Sequence, residues 1–338
     1  MLSRPNDWLV AYALWNSILS IIPGAIIDFR SCLLFKECRV SRKYLLHWPS
    51  IRHFMSYSIW NCFGTLGGLF RTTGISILVN RLLGPAKNAS VAVANSAAGH
   101  ASQFSGALVS AFIPAITNAM GANDRARMIK LVHTTCKFGT LLVVPFLVPL
   151  VLEIDKVMEI WLKKPPEGAG ALCVFILFAL MFEKLTNGHW AAIAANGVIA
   201  KYQFCVGLCA ASALPIGWIL MKSGLGLMSV GWAMLLSIML VVIVRLFALK
   251  LLVGISPQYW LCRILLPMSL SMAFAFAGGY LPRLFMVSSM SRIVLTTLIC
   301  EAILLPLVWF WILDAEERSY IVTRVKTRSQ KLLNGINA

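Results

Sequence analysis

Residues 171–203, ALCVFILFALMFEKLTNGHWAAIAANGVIAKYQ, are long and apolar enough to cross a bilayer, yet Glu183 and Lys184 sit side by side near the middle. A spanning helix needs about 20 mainly apolar residues. An ionisable group at membrane depth costs about 2.5–3.5 kcal/mol on insertion scales, so it persists where it faces protein or a water-filled cavity. Adjacent helix positions point about 100° apart, so the two charges cannot share a face and each needs its own partner on a neighbouring helix. Two readings follow: an internal ion pair that only pins two helices, or a solute path lined by Lys184 or Glu183. On both, this helix is internal and the other spans pack around it.

The 338 residues are 59% hydrophobic and 13% charged, with mean hydropathy +0.79. A soluble globular chain carries about 25% charged residues. Apolar spans recur along almost the whole length, which predicts an all-α polytopic membrane protein of about nine helices and excludes a soluble enzyme. The net charge of +17 is divided between the two membrane faces and does not by itself indicate nucleic acid. Nine scattered cysteines read as small hydrophobes, and Cys205 and Cys209, one turn apart, have no His or second pair to complete a metal site.

The spans are expected at about 8–27, 53–83, 88–120, 138–152, the opening stretch, 202–221, 227–249, 263–282 and 292–313. The second carries Asn61, Thr65, Gly68, Thr72, Ser76 and Asn80 at three- or four-residue spacing, which predicts one polar stripe, with Arg71 beside it in an interior or lumen position. Gly64, Gly67 and Gly68 would let a neighbour approach closely. The third repeats the pattern with Ser96, Gly99, His100, Gln103, Gly106 and Ser110. His100 reads either as a satisfied interhelical hydrogen bond or as a proton relay.

Basic residues sort by face. The 28–53 segment holds Arg30, Lys36, Arg39, Arg42, Lys43 and Arg52, and the loop after the third span holds Arg125, Arg127, Lys130 and Lys137. With the tail from Asp314, alternating faces score nineteen Lys and Arg inside against nine outside, which predicts a cytoplasmic C-terminus and an outside N-terminus. That start hints at helices preceding Met1. The tail reads as a solvated basic end or as a helix lying on anionic headgroups. No Walker loop, zinc-type His–Glu pair or nucleophile elbow is present, so the chain is expected to be no enzyme and to need no cofactor.

Four segments in order, SIWNCFGTLGGLFRTTGISILVNRLLGPAKNASVAVAN, FIPAITNAMGANDRARMIKLVHTTCKFG, PLVLEIDKVMEIWLKKPP and AAIAANGVIAKYQ, resemble the oligosaccharide and polysaccharide flippases (lipopolysaccharide or O-antigen exporter type) of the MATE-like multidrug/oligosaccharidyl-lipid/polysaccharide exporter superfamily. The resemblance covers about residues 53–250. Such proteins have two six-helix lobes, often followed by two more helices. It implies the last helix of an N-terminal lobe plus a basic loop in 1–52, a C-terminal lobe in 53–256, two extra helices in 257–313 and a basic tail in 314–338, with five earlier helices absent. It further implies export of a lipid-linked oligosaccharide across the bacterial inner membrane during surface polysaccharide assembly. Depth and polarity then nominate Arg71, Lys184, Glu183, Asn61, Asn80, His100 and Gln103 as the substrate path, with membrane lipids, a coupling proton or sodium ion, and a second copy or a separate N-terminal lobe as partners. The competing expectations are a drug or cation exporter using Glu183 and Glu301, a truncated chain serving as a membrane partner subunit, and a glycosyltransferase or polymerase using the 153–170 segment.

Overall fold

The computed structural model describes residues 5–35, 48–320, 322–324 and 327, and every regular element among them is helical. Lys36, Arg39, Arg42 and Lys43 of the first basic segment, and Lys326, Arg328 and Lys331 of the tail, lie outside the described residues. Seven helical stretches are long and apolar enough to cross a membrane, or nine if each of two bent pairs is one span. These nine correspond one to one with the expected spans.

The chain divides into the units Met1–Ser56 and Tyr57–Ala338. The first holds α1 (Pro5–Leu34), in which Ser17 and Ser20 donate to the carbonyls of Ala13 and Asn16, leaving little unsatisfied polarity along an apolar helix. Helix α2 (Trp48–Leu69) crosses from one unit to the next. It continues through a π turn, Phe70–Gly74, into α3 (Ile75–Leu82). Gly84, at φ 88°, turns the chain into α4 (Pro85–Gly121), which begins on a proline whose missing N–H has no partner to lose there.

Helix α5 (Arg125–Leu141) starts where the Asp124 carboxylate accepts the Arg127 N–H at 3.1 Å. Arg125, Arg127, Lys130 and Lys137, expected in a loop, are therefore helical. Met128, Val132 and Cys136 at i, i+4 and i+8 give that helix its buried row. Pro145 and Pro149 separate α6 (Val144–Leu152) from it, and α7 (Ile154–Leu162) is a short amphipathic helix inside the expected outer loop.

The opening stretch is not one helix. Helices α8 (Ala169–Leu185) and α9 (Asn187–Asn196) meet at 46° around Thr186. Asn187 and Gly188 are poor helix formers, and Gly188 comes so close to α5 that a Cβ would strike the Val132 carbonyl. The broken turn is satisfied from outside, since Trp260 Nε1 donates to the Leu185 carbonyl at 2.8 Å. Helix α8 is internal, as expected. It packs on α4, α5, α6, α7, α9 and α12, with Leu172, Leu177 and Leu185 fully buried.

The remaining helices are α10 (Ala200–Ala211), α11 (Ala213–Lys222), α12 (Met228–Ala248), α13 (Pro257–Trp260), α14 (Leu266–Phe285) and α15 (Met290–Leu307). Further π turns extend α12, join α13 to α14 and end α15. Polar contacts gather at the two ends of the second unit. Glu153 pairs with Arg292 and Lys87 with Glu167 at one end. At the other, Lys130 pairs with Glu316, Lys137 with Asp314 and Glu317, and Arg125 donates to the Gly254 carbonyl at 2.8 Å. Each contact joins stretches that the alternating count of basic residues puts on one face.

Candidate substrate path

Three elements bring the central charges together. The π turn presents Arg71, α8 presents Glu183 and Lys184, and α4 supplies Asn95, Gly99 and Ser102. Arg71 Nη2 lies 3.8 Å from Glu183 Oε2, an electrostatic contact too long for a hydrogen bond. Lys184, on the next face, is buried and donates to Ser102 Oγ at 2.8 Å. The two adjacent charges thus have separate partners on separate helices, as their angular spacing requires. Arg71, Thr72, Asn95, Ser102 and Glu183 line a cleft of about 180 Å³.

Glu183 is 39% exposed and Arg71 22%, so water reaches this ion pair although it sits among apolar spans. Along α4, Ser96, Gly99, His100, Gln103 and Ser110 are all exposed, so the expected polar face exists and is not consumed by packing. The second span behaves differently. A π turn inserts one residue relative to α pitch, so positions before and after it do not hold one stripe. Thr65 and Thr72 are exposed, whereas Ser76 turns to donate to Asn88 Oδ1 at 2.7 Å across the α3–α4 corner. Asn80 lies beyond the π turn, exposed and apart from the cleft. Asn61 accepts from Gln203 Nε2 at 2.8 Å and ties α2 to α10.

Ser102 and Asn95 were missed by sequence reasoning because they stand one position off the stripe traced on α4. Their spacing with Gly99, at i, i+4 and i+7, is the signal that marks them. Arg245 also departs from expectation. It is buried and not at a headgroup, giving its guanidinium to Thr186 Oγ1 at 2.7 Å and Tyr202 Oη at 3.3 Å. It braces the α8–α9 bend and drops out of the count of inner-face charges. Among the described residues no three His, Cys, Asp or Glu side chains gather as metal ligands would.

Residues 9–164 match the family described as polysaccharide biosynthesis protein. The matched range takes in the first four spans and α7, and with them Asn61, Arg71, Asn80, His100 and Gln103, but it stops before Glu183 and Lys184. No curated protein and no solved structure matches the chain.

Proposed function

We propose that this chain is a membrane transporter that flips or exports a lipid-linked oligosaccharide intermediate in bacterial surface polysaccharide assembly, and not an enzyme. The observation that carries the reading is the wet Arg71–Glu183 cleft, with Lys184 beside it, opening among helices whose α4 face is polar and exposed at mid-span. A pyrophosphate-linked sugar is anionic, and cations in a hydrated cleft lower the cost of bringing that charge into the membrane. Gln103, His100 and Ser96 offer hydrogen-bonding groups for sugar hydroxyls. The long Arg71–Glu183 contact leaves Glu183 able to exchange its partner for a coupling proton or sodium ion when the substrate takes Arg71.

The family match supports polysaccharide biosynthesis, and the run of apolar helices supports a multi-pass membrane protein. The finer parts are ours: the MATE-like type with 53–256 as a C-terminal lobe, the inner membrane with a cytoplasmic C-terminus, and completion of the cavity by a second copy or an N-terminal lobe. The test is complementation of a bacterium lacking its own polysaccharide flippase, assayed as surface polysaccharide. Arg71→Ala and Lys184→Ala should each abolish the rescue at normal protein level. Undiminished export by both variants would remove them from the path.

A further inference from the structure

The largest cavity described, about 580 Å³, is not the cleft above but lies at the other end of α5. It is bounded by Lys130, His133 and Lys137 of α5, by the Gly254–Tyr259 turn, and by Asp314, Glu316 and Glu317 just past the last span. Its chemistry is graded with depth. At the rim Lys130 and Glu316 pair while 68% and 79% exposed, whereas Lys137 below is 6% exposed and held by Asp314 at 2.8 Å and Glu317 at 2.7 Å. His133 lines the cavity at 8% exposure, stacked on Tyr259 with centroids 4.5 Å apart, and its Nε2 has no hydrogen-bond partner. A buried ring nitrogen without a partner, aimed into a cavity of ligand size, marks a site built for a polar group.

The charges choose the ligand. Two lysines face three carboxylates, so an anion alone would enter beside an excess of negative charge. A cation alone would compete with lysines already paired. A zwitterion avoids both costs, because its anionic end replaces Glu316 on Lys130 while its cationic end takes Glu316 in turn. The cavity lies at the ends of three candidate spans, at headgroup depth. We propose that it holds the headgroup of one phosphatidylethanolamine molecule. The phosphate accepts from Lys130 and from His133 Nε2–H, and the primary ammonium donates to Glu316 and Asp314. This site stands independently of the transport path.

The experiment is native mass spectrometry of the purified full chain titrated with phosphatidylethanolamine, phosphatidylglycerol and phosphatidylcholine. One phosphatidylethanolamine should be retained about tenfold more tightly than the other two, since phosphatidylglycerol lacks the cation and phosphatidylcholine lacks the N–H donors. Lys130→Gln and His133→Leu should each weaken retention about tenfold, as expected for loss of a hydrogen bond to a charged group. Because His133→Leu could disturb packing, Glu316→Gln, at an exposed rim position, carries the decision and should erase the preference over phosphatidylglycerol. Equal retention of the three lipids, no retention, or an unchanged preference in Glu316→Gln would overturn the proposal. Soluble glycerophosphoethanolamine binding as tightly as the lipid would overturn the membrane source.

Discussion

Glu153→Ala should be among the most damaging single substitutions in the chain. The Glu153 side chain is 1% exposed and sits at the α6–α7 junction, where Arg292 at the start of α15 meets it edge-on. Arg292 Nε donates to the two carboxylate oxygens at 3.0 and 3.1 Å, Nη2 donates to Oε2 at 2.7 Å, and Thr296 adds a hydroxyl to Oε1 at 3.2 Å. Removing the carboxylate leaves a guanidinium only 12% exposed, with a single backbone acceptor, the Met286 carbonyl at 3.2 Å. Breaking one side of a buried pair costs about 3–5 kcal/mol, because an uncompensated charge stays behind. With Arg292 slightly wet, the lower part of that range applies, about 3 kcal/mol or roughly a hundredfold in the folded-to-unfolded ratio. Replacing both residues by Met removes the stranded charge and should restore stability to within about 1 kcal/mol of the parent. Reversible unfolding in mixed detergent–SDS micelles measures both, with Lys156→Ala, from the partly exposed Lys156–Glu159 pair, as a control expected to cost under about 1 kcal/mol. A loss below about 1 kcal/mol for Glu153→Ala, or a double variant no better than the single, would refute the argument.

The remaining expectations concern packing, the path and pH. Gly67→Ala should cost about 1–3 kcal/mol in the same unfolding assay, because its methyl would run into the Gly207 backbone where α2 crosses α10, and no side chain there can yield. An unchanged midpoint would mean that the helices are further apart. Glu183→Gln should shift stability by less than about 1 kcal/mol, since its 3.8 Å contact with Arg71 is partly hydrated, yet it should slow polysaccharide export. Loss of stability with normal export would reverse that assignment. Outside the spans, the hydrogen bond and charge of Lys87, 2.6 Å away, hold the Glu167 carboxyl below its ordinary range. A carboxylate depressed in the folded state stabilises above its unfolded value, and the contribution is lost as pH falls through the folded one. Lys87→Gln should therefore unfold earlier than the parent at neutral pH and match it in acid. A pH-independent difference would show that the pairing contributes nothing.

The spans and the two separate partners of Glu183 and Lys184 could be read in the sequence because they follow from length, apolarity and the 100° step of a helix. What could not be read was every place where backbone pitch changes. Nothing in FRTTG announces a π turn, so a stripe drawn at 3.6 residues per turn carries Ser76 and Asn80 onto a face they do not share with Thr65. Thr186 looks like any threonine in an apolar run until Arg245 and Trp260, about 60 and 75 residues onward, supply the groups that satisfy a broken turn. Lys137 was legible as basic but not as buried, because its burial depends on carboxylates about 180 residues away. Local pattern records what a helix contains. Long-range satisfaction decides where the helix bends and which charges it can hide.

The π turn at Phe70–Gly74 also acts as a phase adjuster within a single span. Its extra residue sets the angular offset between the Asn61 half, which is locked to Gln203, and the Ser76 half, which is locked to Asn88. Removing one residue from 70–74 would return the span to α pitch and swing one half about 100° against the other. Both interhelical locks could not then be kept, although no residue in either would have been touched. A cysteine pair placed at positions 61 and 203 would report that rotation as lost cross-linking. The orientation of Arg71 toward Glu183 is thus a property of backbone phase, open to change by length as well as by side chain.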